Sequence, residues 1–476
     1  MFSSLNRRKF LQLTAAEVGS ISALSCCAQT TVPSVSDKLR IAIIGCGPRG
    51  VDHLLPPAVM HEKVVALVDP DSRRIEVARQ KIKQLAPNTD FSRIRTFCDY
   101  RKLFDEMASE LDAVMIAAPN HHHALPTLLA IRNKIHVYVE KPMALTVQEA
   151  RLMGTEAKKY GVATQVGIHG HSNEGGRRLC EYIWAGAIGQ VREVYSWSDR
   201  MNSVVGQRQP NCSVPEELNW DVWLGGAPYR DYHPGLHLHD WHDWIDFGNG
   251  SIGNMGNHIL DPIFWSLKLN APSSVEMVDF RPGIPGTWPV KTHLLWKFPE
   301  REGMAPVDIH WFDGIAGDLP VTREYVGGIG IFKKREYQNL PPIIAELEAK
   351  HGVNLGRLGS VLIGDKGILT IGPFGENARF VPLSLAESIP VAPKTIPRIP
   401  GNQHQVDFFR SCRGGVPACA SFDYSVPLSE MVLLGNTAML AGTGRRLDWD
   451  AEKLECTNHP DVNCFLAKQY RKGWEI

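Results

Sequence analysis

Leu39-Arg40-Ile41-Ala42-Ile43-Ile44-Gly45-Cys46-Gly47-Pro48-Arg49-Gly50 is the stretch that decides the fold. Its apolar, β-branched run from Leu39 to Ile44 reads as a strand buried on both faces of a parallel sheet. The glycines of the GxGxxG turn that follows permit a tight bend and close backbone approach, and the helix after it offers unpaired N–H groups and a positive dipole end to a pyrophosphate. A second strand, Val64 to Val68, ends at Asp69, nineteen positions after Gly50 (69 minus 50). A carboxylate there accepts the hydroxyls of an adenosine ribose and repels a 2′-phosphate, which points to NAD; the neighbouring Arg73 and Arg74 leave NADP open. Leu111 to Ala118 forms a third strand, running into Pro119-Asn120-His121-His122-His123, and Ile135 to Val139 a fourth, running into Glu140-Lys141-Pro142. Strands alternating with helices predict a doubly wound parallel sheet, a Rossmann fold, with its ligand crevice at the strand C-termini.

The composition agrees with a folded enzyme and excludes other classes. With 476 residues, 43% of them hydrophobic, the chain is long enough for two or three domains and too apolar to be disordered. Lys plus Arg equal Asp plus Glu at 51 each, with no long run of like charge, which excludes a broad nucleic-acid footprint. No apolar stretch approaches the roughly 20 residues of a spanning helix. The partners expected are small molecules.

The N-terminus reads as an address. Asn6-Arg7-Arg8-Lys9-Phe10-Leu11, followed by an apolar stretch and Ser25-Cys26-Cys27-Ala28-Gln29, resembles a bacterial twin-arginine export signal over residues 1–30. Leu24-Ser25-Cys26-Cys27 is loosely similar to a lipoprotein cleavage box, which leaves a lipid anchor open. The eight later cysteines show no C-x-x-C pair or zinc-ligand spacing, so no disulfide scaffold is expected. Export of a folded, cofactor-loaded protein to the periplasm follows as the expectation.

The strand, the glycine turn, the acid at Asp69, Ala117-Ala118-Pro119-Asn120 with His123, and Glu140-Lys141-Pro142 together resemble the Gfo/Idh/MocA oxidoreductase family. The likeness continues through Gly248-Asn249-Gly250-Ser251-Ile252-Gly253-Asn254-Met255-Gly256-Asn257-His258-Ile259-Leu260-Asp261. The resemblance implies a linker at 31–37, a NAD(P)-binding Rossmann domain at 38–167 and, at 168–476, a C-terminal α/β domain with a large, mostly antiparallel sheet for substrate and oligomerisation. By the same resemblance, Gly45, Gly47, Pro48, Arg49, Gly50, Asp69, Pro119, Asn120, His123, Glu140 and Lys141 hold the cofactor, while Lys141 and His258 are catalytic. The chemistry is coherent: hydride removal from a secondary alcohol needs a proton acceptor, which an imidazole supplies at neutral pH, and an ammonium stabilises the alkoxide. The family usually carries an aspartate where this chain has Asn254, and an amide cannot stabilise an imidazolium by charge.

The substrate side is read from polar and aromatic residues. His171 and Asn173 lie where the chain crosses into the second domain, and Asp261 stands three residues past His258, where a regular helix would set it on nearly the same side as that imidazole. Trp220 to Trp244 mixes aromatics with Tyr232, His233, His237, His239 and His242, a composition suited to sugar C–H faces and hydroxyls. The four histidines also raise a metal site, which the sugar reading outweighs because their spacing fits no zinc signature. Lys291 and Asp313 are further pocket candidates.

Alternating strands at 292–298 and 307–312, a hairpin at 361–369, and helices at 404–410 and 428–440 complete the pattern. The expected function is an exported oxidoreductase acting on a sugar hydroxyl or ketone with tightly held, internally recycled NAD, forming homo-oligomers. A glycosidase or lyase working by transient oxidation and elimination, and a non-catalytic carbohydrate-binding protein, are the alternatives.

Overall fold

The computed structural model describes residues 38–200, 210–237, 239–317 and 335–476, with the backbone of 323–326 and 329–332. The export-signal and lipid-anchor readings, on residues 1–30, lie outside these residues. Residues 38–476 form one compact unit.

Six parallel strands make the first sheet: β1 (Arg40–Ile44), β2 (Lys63–Val68), β3 (Arg95–Phe97), β4 (Ala113–Ile116), β5 (His136–Val139) and β6 (Thr164–Val166). They run in the order β3-β2-β1-β4-β5-β6, so the order reverses between β1 and β4 and opens a crevice beyond their C-terminal ends. Central strands are β-branched and buried on both faces, as a sheet sandwiched between helices requires. The short β3 has no counterpart in the sequence reading, because three partly exposed residues at a sheet edge carry no apolar run.

The second sheet has nine strands: β7 (Val191–Trp197), β8 (Ser274–Arg281), β9 (Lys291–Phe298), β10 (Val307–Gly314), β13 (Gly359–Gly364), β14 (Gly367–Ile371), β15 (Arg379–Val381), β16 (Arg446–Asp450) and β17 (Glu455–Cys456). β11 (Arg323–Val326) and β12 (Ile329–Phe332) form a separate hairpin. The order is β15-β14-β13-β7-β10-β9-β8-β16-β17, antiparallel apart from the β7–β10 pair. Strict alternation along β9 buries Thr292, Leu294, Trp296 and Phe298 on one face, the pattern of a sheet covered on one side.

The covering element is the helix Phe422–Ala441, apolar nearly all round because it lies between two neighbours. On one side Gly435 admits the Trp296 ring: an added Cβ would lie 2.7 Å from it. On the other, Gly154 of the helix Val147–Tyr160 is equally tight against Val426, at 2.8 Å. The helix His404–Cys412 returns to the first sheet, with Phe408 and Phe409 in one core with Ile41, Ile43 and Tyr138. A third, smaller core of Leu218, Trp220, Trp223, Tyr232, Leu236, Trp241, Trp244 and Phe247 builds a segment of its own between β7 and β8. It docks on the first sheet just beyond Asp69, through Ser72 N–H to Glu217 O (3.0 Å) and Asn219 N–H to Pro70 O (2.9 Å).

Candidate active site

The bend after β1 is shaped by what its glycines exclude. Gly45 has φ +93°, and a Cβ there would lie 2.6 Å from the Ala117 carbonyl at the end of β4. At Gly50 a Cβ would stand 2.0 Å from the Gly45 carbonyl oxygen, so both positions hold the bend against the strands. Gly47 differs: a Cβ built there meets nothing within 4 Å, so its bare backbone faces open space. Pro48 opens the helical backbone that follows, where its missing N–H costs nothing. The first turns, Gly50–Leu54, are π-helical before the α-helix Leu55–His61.

Asp69 stands at the end of β2, its two oxygens accepting one bond each from Cys46 N–H (2.8 Å) and Asp71 N–H (2.9 Å). Burial pushes its pKa up to about 7, although the two amides pull the other way. A ribose hydroxyl pair donating to the remaining lone pairs would favour its ionised form. Arg73 turns aside to Asp71, with Nε and Nη2 both at 2.8 Å, while Arg74 lines the same cavity as Asp69.

That cavity has a volume of about 490 Å³ and runs from the glycine bend, past Pro119 and His123, to Lys141, Asn254 and His258. Its size suits a small ligand, and its walls are set by both sheets and the inserted segment. Gly45, Gly47, Pro48 and Arg49 line it, with Asp69 and Arg74 at one end; open space at Gly47, the strand-end acid and the apolar flank of Ile44 and Val68 fit a dinucleotide.

At the far end Glu140 is buried and ion-paired to Arg49 at 2.9 Å; Gly167 makes room, since a Cβ there would meet the Glu140 carboxylate at 2.6 Å. His123 bridges the carbonyls of Pro142 (2.7 Å) and Ala118 (2.8 Å), tying the ends of β4 and β5 together. Lys141 donates from Nζ to both the backbone oxygen and Oδ1 of Asn254, each at 2.8 Å. Burial brings its pKa down to about 7 against the pull of Glu140, so it is not the fixed ammonium of the sequence reading.

His258 lies one turn beyond Asn254, edge-on to His169 (4.8 Å between ring centroids) and Phe374 (5.0 Å). Its buried Nδ1 has no hydrogen-bond partner among the described residues, and burial keeps its proton affinity well below the ordinary range. Nothing here stabilises an imidazolium, so His258 is neutral.

Several expected contacts lie elsewhere. Asp261 accepts from His171 Nδ1 (2.8 Å) and the Tyr424 hydroxyl (2.7 Å), and does not reach His258. The reading assumed one regular helix; the run is π-helical at Ile252–Gly256 and breaks at Leu260, which turns the side chain away. His171 is buried on Trp265 (4.1 Å between centroids), and Asn173 donates to Phe374 O at 2.7 Å, so neither lines the cavity. In the tight turn His169–Ser172, His169 is the one that does. Tyr232 packs on Trp220 and His233 on Trp244 in the inserted segment's core; from that segment the cavity receives Val222, Trp223, His237, His239, Trp241 and His242. Asn120 donates to Asn249 Oδ1 (3.0 Å) behind the wall, and Gly50 sits behind the bend. Lys291 pairs with Asp279, and Asp313 is buried against Thr292 and Trp311. Arg200 and Phe374 line the cavity without having been singled out; neither belongs to a motif, and only chain packing brings them there.

The four histidines do not converge. His237 bonds Asp71 Oδ2 at 3.0 Å, His233 lies in the aromatic core, and His242 Nδ1 bonds His239 O at 2.7 Å while stacking on Trp241. Among the described residues no three His, Cys, Asp or Glu side chains form a metal-binding group.

Residues 39–168 match the oxidoreductase family's NAD-binding Rossmann fold, and residues 190–281 match the same family's C-terminal alpha/beta domain. Inositol 2-dehydrogenase of Salmonella typhimurium is 27% identical over 198 residues, 40% of this chain and 56% of that one. D-glucoside 3-dehydrogenase of Escherichia coli is 30% identical over 175 residues, 37% of this chain and 41% of that one. The chain thus spans about half the length of the curated relatives it matches. The WlbA dehydrogenase of Bordetella pertussis, solved with NADH and UDP-GlcNAcA, shares the fold at TM-score 0.56 and 14% identity, over 87% of this chain and 99% of that one.

Proposed function

We propose that this chain, whose residues 39–168 and 190–281 match the two domains of the Gfo/Idh/MocA oxidoreductase family, is a nicotinamide-dependent oxidoreductase of a hydroxyl or ketone on a sugar or sugar derivative. The observation that carries this reading is the single cavity joining the open backbone of Gly47 to Lys141, Asn254 and His258. Gly45, Gly47, Pro48, Arg49 and Asp69 would hold the dinucleotide, and the bound nicotinamide supplies the hydride acceptor or donor.

The chain's own residues move the proton. Asn254 presents two oxygens to Lys141 Nζ, so a neutral amine spends both N–H groups on them and keeps its lone pair for a substrate hydroxyl proton. Once protonated, the third N–H returns the proton in the reverse direction. His258, neutral and lacking a carboxylate partner, orients the hydroxyl by a neutral hydrogen bond. The roles expected of the two residues are thereby exchanged. Trp223, Trp241 and Phe374 close the walls and limit water.

Tight retention and internal recycling of the cofactor belong to the same proposal. The inserted segment is bonded to the residues after Asp69 and encloses that end of the cavity, and the signal-like Asn6–Gln29 motif favours export as loaded holoprotein, to a periplasm without a nicotinamide pool. Under such retention, a sugar oxidised and then reduced within one turnover, with elimination between, is the second reading.

Denaturation of the purified protein should release near-stoichiometric NAD(H), and candidate sugars should change its nicotinamide absorbance. Lys141→Ala should abolish turnover and His258→Ala lower it by about 10²-fold or more. Full rate in both variants, or a protein that carries no dinucleotide and takes none up, would leave the non-catalytic binding protein as the better reading.

A further inference from the structure

The contact between Lys141 and Asn254 joins two domains, and one buried asparagine holds both sides of it. Asn249 is 1% exposed and lies five residues before Asn254 (254 minus 249). Its Nδ2 donates one N–H to the carbonyl of Leu145 (3.0 Å), shortly after Lys141 in the chain, and the other to Asn436 Oδ1 (3.2 Å) on the covering helix. Its Oδ1 accepts from Asn120 Nδ2 (3.0 Å), just past β4, and its backbone oxygen accepts from Asn436 Nδ2 (3.1 Å). The amides of Asn120, Asn249 and Asn436, all buried, thus form one chain through three segments of two domains.

The same residue begins the run that carries Asn254. The Asn249 carbonyl also accepts the N–H of Gly253, at 3.1 Å. A Cβ on Gly253 would lie 2.2 Å from the Asn249 Cβ and 3.5 Å from Pro142 Cγ, so the run is pressed on Asn249 and has little free space toward the residue that follows Lys141. Each link in the amide chain sets an N–H against an oxygen, so displacing the run by about 1 Å breaks several links at once and leaves buried donors unpaired. None of the three side chains titrates, so the chain itself introduces no pH dependence.

We infer that Asn249 is a positioning residue that sets the Lys141–Asn254 contact, and through it the proton transfer, an inference that rests on the oxidoreductase reading for the transfer and on the amide chain alone for the contact.

The test uses Asn249→Ala and Asn436→Ala in the purified holoprotein, with Val426→Ala, on the same helix but packed on Gly154, as the control for general loosening. Two readouts run in parallel: the pH profile of kcat, and the titration of Lys141 followed by NMR of isotope-labelled lysine, its signal identified by absence in Lys141→Met. In Asn249→Ala kcat should fall about 10²-fold, as for a misplaced reacting group, while the bound NAD content is retained. Water reaching the amine relieves the burial that holds it at about 7, so the titration and the kcat inflection should both move up by about half a unit or more. Asn436→Ala, which leaves the bonds to Leu145 and Asn120 in place, should move both the same way by less, and it decides the question where Asn249→Ala does not fold. Val426→Ala should lower the unfolding midpoint and move neither. A Lys141 titration unmoved in the asparagine variants, or moved as far in Val426→Ala, overturns the inference. Turnover whose inflection stays in place in the asparagine variants would sink the positioning role and leave the redox reading intact. A shifted Lys141 titration with no absorbance change for any sugar, in the wild type included, would keep the positioning role and sink the redox reading.

Discussion

The proton-handling end of the cavity turns on one amide. Burial brings the Lys141 amine down to about 7, and Asn254 meets it with two neutral acceptors, where a carboxylate would hold an ammonium. Oxidation needs the neutral amine, so its rate should rise with pH through an inflection near 7. Asn254→Asp supplies the missing charge and should move that inflection upward by about 1 unit or more, read from the pH profile of kcat. An unmoved inflection would assign the titration to another group. The Asn254 substitution is legible in the sequence; that its oxygens face Lys141 and leave His258 alone is not, because contact between residues 141 and 254 depends on how two domains meet.

Among the elements, the β1 bend separates folding from binding within three glycines. Gly50 is pressed against the Gly45 carbonyl, so Gly50→Ala should destabilise the protein by roughly 3 kcal/mol in denaturant unfolding, as overpacking against backbone does. Gly47 has free space around it, so Gly47→Ala should unfold at the wild-type midpoint yet yield a protein that releases little or no NAD on denaturation. Loss of stability in Gly47→Ala would place that glycine in the fold's support instead. The bend, the strand-end acid and the alternation of strands with helices were all readable from local periodicity and turn chemistry, since a buried parallel strand and a glycine turn are written in contiguous residues. The interrupted helix at 252–261 was not, and a regular-helix assumption there sent Asp261 to the wrong partner.

For the molecule as a whole, the inserted segment joins the two sheets' territories over the cavity. His237 Nε2 to Asp71 Oδ2 is one of its side-chain links to the first domain, beside the imidazoles of His121 and His122 on Trp223 O and the backbone bonds of Glu217 and Asn219. Removing it in His237→Ala should speed cofactor loss about tenfold, the worth of one hydrogen bond to a charged group, measured as exchange of bound for labelled NAD. An unchanged exchange rate would show that the remaining contacts hold the segment without His237.

Contiguous sequence settled the Rossmann architecture, the alternating strands β9 and β10, the β13–β14 hairpin, the glycine bend and the place of Asp69 at a strand end, because each is encoded by residues adjacent in the chain and by the short-range sterics of strand and turn. The choice of His169 over His171, of His239 and His242 over Tyr232 and His233, and the arrival of Arg200 and Phe374 at the wall were decided only by tertiary structure. Those outcomes depend on which side of a tight turn or an aromatic core faces a cavity built from distant segments, and no periodicity within a single segment records that direction.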